Sequence, residues 1–217
     1  LFDTVPKADF HTYYSMAGAL AEKSMMFNDY VSVFPHVFGY PFVLSIFFRI
    51  FGSHIIVAQI LNIVFGCGIA AMLFLLGKRF RDDSTGYAAA VIWALWPSQI
   101  FYSILVGSEA LYTLMILATI YFFIRITQSR HGRSDDYFYF FVLGLLIALC
   151  NAVRPFGLVV LAAFAIYYFF AQDNRFLKKV LKTKLTMFVI MAASYFLCTV
   201  FIGNIVGAKI NRNIATR

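Results

Sequence analysis

Charge is scarce in this 217-residue sequence: Asp, Glu, Lys and Arg make up 13% of it, against 62% hydrophobic residues. A soluble domain carries about 25% charged and about 45–50% apolar residues, so a water-soluble globule is excluded. Acid is scarcer than base, 10 residues against 18, which leaves a formal net charge of +8. No basic face survives outside short loops between apolar runs, so nucleic-acid binding is not expected. Cysteine is scarce as well. Cys67, Cys150 and Cys198 all fall inside apolar runs, with no CxxC spacing and no nearby His. They read as small packing residues rather than zinc ligands.

What is there is long apolar sequence: His54–Gly77, Gly86–Thr127, Tyr137–Ala171 and Leu185–Gly207. A bilayer core of about 30 Å takes about 20 apolar residues in a helix. The second and third runs are long enough to cross twice. Backbone groups in lipid must be paired within their own segment, so the runs are expected to be helical; a β-barrel would show short alternating segments instead. The expected fold class is an all-α polytopic membrane protein, a bundle of about six transmembrane helices plus an outer juxtamembrane helical loop. The expected division is residues 1–53 as an extracytoplasmic loop with juxtamembrane helices, 54–207 as the helix bundle and 208–217 as the start of an extracytoplasmic segment. The polar start at Leu1, and the absence of a clear stop at Arg217, lead to the expectation of a longer protein with a further span before Leu1 and more sequence after Arg217.

Within residues 1–53, Ala17–Ala21 is expected to form one short amphipathic helix. Phe38–Phe51, interrupted by Pro41 and carrying Arg49, spans roughly 20 Å as a helix and reads as juxtamembrane or re-entrant. The run from Gly86 must turn between Trp96-Pro97-Ser98 and Gly107-Ser108-Glu109, and the next breaks at Asn151–Pro155. Three loops, with Lys78, Arg79, Arg81, then Arg125, Arg130, Arg133, then Arg175, Lys178, Lys179, Lys182 and Lys184, hold 11 of the 18 basic residues. The positive-inside rule puts them in the cytoplasm. The hairpin tips with Glu109 and Arg154 then face out, and Asp9 joins them provided that Phe38–Phe51 does not cross. Gly203 and Gly207 match a small-xxx-small packing pattern.

Three ionisable residues stand out. Asp9 can act as a general base beside the membrane or as an ordinary helix-start carboxylate. Glu109 stands alone in a strongly apolar hairpin, where an ionisable group is costly. Arg154 can grip a phosphate with its fork of donors or anchor by snorkelling. His11 and His36 show no metal-ligand spacing. Tyr13, Tyr14, Tyr30 and Tyr40 can stack on a sugar or belong to an interfacial belt.

The order of these features resembles the GT-C glycosyltransferases, among them the protein O-mannosyltransferases and the aminoarabinose transferase of lipid A. The resemblance is carried by Asp9-Phe-His-Thr-Tyr13-Tyr14, Gly39-Tyr40-Pro41, Phe51-Gly52, Gly77-Lys-Arg-Phe, Trp96-Pro97-Ser98, Ser108-Glu109-Ala-Leu-Tyr112, Gly144-Leu-Leu and Arg154-Pro155-Phe-Gly157. It implies that Asp9 is the base, that Glu109 matches the acid of the next outer hairpin, and that Arg154 meets the lipid phosphate. His11, Tyr13, Tyr14 and Tyr40 are the further substrate-binding candidates. The family often has a second acid after the first; Phe10 stands there. No metal ligands are assigned, and a divalent cation is the one cofactor left open.

The implied reaction is inverting transfer of a sugar from a polyprenyl-phosphate donor to an acceptor hydroxyl on a glycan, lipid or protein. The alternatives are a non-catalytic lipid-linked-sugar flippase or transporter, a membrane scaffold, or a GT-C-like fold without activity. A transporter should carry ionisable groups near mid-membrane between repeats, and no repeat is visible. The short loops favour a bacterial plasma membrane over the endoplasmic reticulum.

Overall fold

A computed structural model of the chain describes residues 9–22, 35–128, 133–171 and 178–214. Every regular element among them is helical: α1 (Asp9–Ala21), a 3-10 turn (Pro35–Phe38), α2 (Gly39–Phe51), α3 (Ile55–Phe80), α4 (Asp83–Leu95), α5 (Pro97–Tyr102), α6 (Glu109–Gln128), α7 (Arg133–Val153), α8 (Gly157–Ile166) with a π-helical turn (Tyr167–Ala171), and α9 (Lys178–Ile214). The polytopic all-helical class is as expected. The helix expected at Ala17–Ala21 starts eight residues earlier, at Asp9.

Four helices are long and apolar enough to cross a membrane: Ile55–Phe80, Glu109–Gln128, Asp136–Val153 and Lys182–Val206. That is fewer than the expected six, and the breakers explain it. Pro97 disfavours helix in the residue before it, so α4 stops after 13 residues, about 20 Å. Pro97 then opens α5 as its first residue, a position that suits its fixed φ. Pro155 ends α7 in the same way, and α8 with its π turn is also too short to count as a span. Each of the two long runs thus makes one full crossing and one shorter leg.

Local chemistry sets the joints. Asp82 caps α4 by accepting from Thr85 N–H at 2.8 Å and Thr85 Oγ1 at 2.7 Å. Gly77 and Gly86 let α3 and α4 touch: a Cβ on Gly77 would lie 2.7 Å from Gly86 Cα. Gly52, at φ 84°, turns α2 into α3 in a conformation open to glycine. Asn151 Oδ1 accepts from Gly157 N–H at 3.0 Å and bridges the α7–α8 break.

Two apolar clusters result. One joins α6, α7, α8 and α9 around Leu143, Ile147 and Met191, with Phe123 stacked on Phe164 at 4.1 Å. The other joins α1, α2, α3 and the start of α6 around Tyr40, Leu44, Phe48 and Ala58. Outside them large apolar side chains such as Val91, Phe101, Leu158 and Leu197 are exposed, as suits a lipid-facing surface. A Cβ at Gly203 would find nothing within 4 Å. The close approach is at Gly144, where a Cβ would collide with Ser194 Oγ and the Met191 carbonyl oxygen of α9.

Candidate active site

The start of α1, the start of α2 and the tips of the two hairpins meet at one end of the assembly. Asp9 opens α1 and is exposed; a carboxylate in a first turn is favoured by the helix dipole. Four contacts lay α1 across α2 and the bend after it. Tyr13 packs edge-on to Tyr40, with ring centroids 5.5 Å apart, and Tyr14 edge-on to Phe48 at 5.4 Å. The Tyr14 hydroxyl donates to the Ser53 carbonyl at 2.6 Å, and Arg49 donates to the Leu20 carbonyl at 2.7 Å. Partial burial pushes the Tyr14 phenol pKa up, so it remains a donor at neutral pH.

Gly39 fixes where α2 begins. A Cβ there would lie 2.5 Å from the Ala152 carbonyl oxygen, so only glycine allows α2 to abut the end of α7. Two residues beyond Ala152 the helix opens at Arg154, whose guanidinium pairs with the Glu109 carboxylate. Its Nε also donates to Ser108 Oγ at 3.2 Å. The two charged side chains are about one-third exposed, 32% for Arg154 and 36% for Glu109. The Arg fork has five N–H donors, and among the described residues Ser108 and Glu109 each take one.

The link to α1 runs through Gly107. A Cβ at Gly107 would collide with the Glu109 carboxylate and lie 3.3 Å from Phe10 Cε1. Phe10 therefore packs beside the tip that carries Glu109, and its neighbour Asp9 stands at the same end. Glu109 and Arg154 touch directly; no hydrogen bond or ion pair joins Asp9 to them among the described residues. His11 is exposed. Tyr14 has its hydroxyl committed to Ser53, and Tyr40 is fully enclosed, with no ring face open to a sugar. Tyr30 and the side chain of His36 lie outside the described residues. No group of three His, Cys, Asp or Glu side chains gathers among the described residues, so no metal-ligand set is formed there.

Three polar residues were not singled out from the sequence. Ser108 is fully buried and orients Arg154. Gln59 and Asn62, at 1% and 2% exposure, hold the α5–α6 connection to α3. Gln59 Nε2 donates to Ile104 O at 3.3 Å, and Asn62 Nδ2 to Leu105 O at 2.5 Å. The available signal was two carboxamides three residues apart inside an otherwise apolar run, one turn of a single helix face.

A helical membrane protein with an Arg–Glu pair at its hairpin tips falls in the class of polytopic membrane enzymes and carriers. The chain belongs to the dolichyl-phosphate-mannose-protein mannosyltransferase family, whose profile matches residues 35–199. This is a family of membrane glycosyltransferases of the GT-C type. The matched stretch contains Glu109 and Arg154 and begins after Asp9. No curated protein and no solved structure matches the chain.

Proposed function

We propose that this protein transfers a sugar from a polyprenyl-phosphate carrier to an acceptor hydroxyl, at the membrane face that bears the hairpin tips, in the plasma membrane of a bacterium. The tips and residues 1–53 face out of the cytoplasm in this reading. The observation that carries it is the Glu109–Arg154 pair, about one-third exposed, at the tips of the family-matched helices. The donor phosphate takes the open donors of Arg154 and draws the guanidinium from Glu109. The acceptor oxygen attacks the anomeric carbon, the bond from that carbon to the phosphate oxygen breaks, and polyprenyl phosphate leaves with the bonding pair. The configuration inverts. Asp9 takes the hydroxyl proton, and Arg154 offsets the charge that grows on the departing phosphate.

The test is sugar transfer by membranes containing the full-length parent protein, with a panel of labelled polyprenyl-phosphate sugars. Asp9→Asn is expected to lower transfer at least about 100-fold, with insertion and expression unchanged. Equal transfer by both proteins removes Asp9 as the base. No transfer from any donor by the unaltered protein turns the reading to a carrier or scaffold.

A further inference from the structure

Beside the Arg154–Glu109 pair stand two aromatic rings that the proposed reaction leaves unused, Tyr112 on α6 and Phe156 at the start of α8. Tyr112 lies one turn on from Ser108, and its N–H donates to the Ser108 carbonyl at 2.9 Å. It therefore shares a helix face with Ser108, and its phenol is close enough to Arg154 to feel the guanidinium charge. Phe156 follows Arg154 by two residues. Its N–H donates to the Arg154 carbonyl at 2.8 Å, which closes a tight turn around Pro155. The two rings have centroids 6.0 Å apart and are tilted by 51°. Tyr112 is half-buried and Phe156 is 48% exposed, so the pair keeps accessible ring surface.

The backbone that carries Phe156 is held on both sides. Its carbonyl accepts from Val160 N–H at 3.1 Å. Gly157, next in the chain, is locked in place: a Cβ there would lie 2.7 Å from Tyr195 Cε2 and 2.8 Å from Asn151 Cβ. A ring fixed in this way loses little further freedom when a molecule lands on it. The tyrosines of α1 and α2 are committed elsewhere. Tyr13 packs edge-on to Tyr40, the Tyr14 hydroxyl is bonded to Ser53, and Tyr40 is enclosed.

We infer that Tyr112 and Phe156 form the seat for the sugar ring of the donor, a pyranose that lays one of its C–H faces on them. The face of an aromatic ring is electron-rich. It attracts the polarised C–H groups of a sugar, and the contact removes apolar surface from water. The sugar is joined to its phosphate through a single oxygen, so a phosphate on Arg154 brings the sugar to the surface beside that residue. A cation for the phosphate, a carboxylate for sugar hydroxyls and an aromatic face for C–H groups together match the chemistry of a sugar phosphate. The inference rests on the proposed meeting of Arg154 with the donor phosphate.

The experiment compares the full-length parent protein with its Phe156→Leu and Phe156→Tyr variants. It measures the Kd for polyprenyl phosphate without sugar, and for polyprenyl phosphates carrying mannose, glucose or galactose. The unaltered protein is expected to bind at least one sugar-bearing lipid more tightly than the bare one. Phe156→Leu should raise that Kd about 5-fold, the worth of an aromatic contact, while Phe156→Tyr, which keeps the ring, should not. The Kd for the bare lipid should stay the same in all three, and it doubles as a control for folding. An equal rise for the bare lipid would make Phe156 a seat for the isoprene chain, and no change for either lipid would make it an interfacial anchor. Either result overturns the inference, as does an unaltered protein that binds no sugar-bearing lipid better than the bare one. Arg154→Gln tests the phosphate contact separately: if it binds the bare lipid as well as the unaltered protein does, that contact fails and takes this inference with it. Binding without sugar transfer would instead remove the transferase reading, and the Phe156→Leu comparison would still decide this one.

Discussion

Where α7 meets α9, Gly144 lies against the Met191 carbonyl, and Leu143, Ile147 and Met191 are enclosed around it. The buried hydroxyls of this half bond both nearby and across helices: Thr119 to Met115 O and Cys150 Sγ, and Ser194 to Met191 O and Phe141 O. Where α2 and α3 meet the α5–α6 connection, the enclosed side chains include Tyr40, Gln59, Asn62 and Ser108. Their bonds reach across the chain, from Asn62 to Leu105 and from Arg154 to Ser108. In lipid no hydrophobic force draws helices together, so close van der Waals contact has to do it. The first half meets that need with small residues and stacked rings. The second half gives up part of it to hold a charged pair in a fixed place.

The largest effect that separates the halves comes from one methyl group. Gly144→Ala puts a Cβ into the Met191 backbone, which cannot swing aside as a side chain can. The expected loss is about 1–3 kcal/mol, read as a lower melting temperature of the purified protein, with the Kd for polyprenyl phosphate unchanged in what remains folded. If the variant keeps its melting temperature, α7 and α9 are not held by close contact and the contrast fails.

The same change made on α3 should do the reverse. A Cβ at Gly66 would meet nothing within 4 Å; Gly66 lines a cavity of about 260 Å³ beside Trp93, Ile100 and Ala110. Gly66→Ala removes backbone freedom from the unfolded chain without a collision, and is expected to stabilise by about 0.5–1 kcal/mol. A fall in melting temperature as large as that of Gly144→Ala would mean that this side of α3 is packed as tightly as the α7–α9 contact.

The helical class and the places where the chain turns were legible in the sequence because they rest on local rules. Apolar length, Pro97 and Pro155 are local, and the breaks fall at Leu95–Pro97 and Val153–Gly157. The count of full crossings was not, because the 13-residue α4 before Pro97 and the 26-residue α3 look alike in a hydropathy pattern until a helix end is fixed. Glu109 and Arg154 were legible as isolated charges in apolar runs. That they pair with each other depends on two tips 45 residues apart in sequence, which no spacing rule reaches. Gln59 and Asn62 escaped notice because they carry no charge, although burial in lipid makes an amide costly for the same reason. Asp9 was legible as a helix-start carboxylate, but the helix was placed only at Ala17–Ala21 because Phe10 to Tyr14 suit a strand or loop by propensity; in the structure they belong to α1 and pack on α2.

The smallest expected effect lies at the other end of α3 from Asn62, about 30 Å away along the helix, where Asp82 caps α4. Its carboxylate accepts from the Thr85 hydroxyl and N–H, and these bonds lower its pKa from 3.8. A depressed acid stabilises the folded state above its unfolded pKa, and that stabilisation is lost as pH falls through the lower folded value. Between neutral pH and about 4 the cap therefore contributes a constant amount, and below that it fades. Protection of the Asp83–Gly86 amides against exchange should fall only in that acid range, and Asp82→Ala should show the lower protection above it and converge with the unaltered protein below it. The carboxylate is exposed, so the effect should stay within the first turn of α4 and leave the Kd for polyprenyl phosphate untouched. A cap variant that weakened that Kd would tie the α3–α4 loop to the Glu109 end of the molecule. The division would then run along α3 as a whole rather than between the site half and the α6–α9 half.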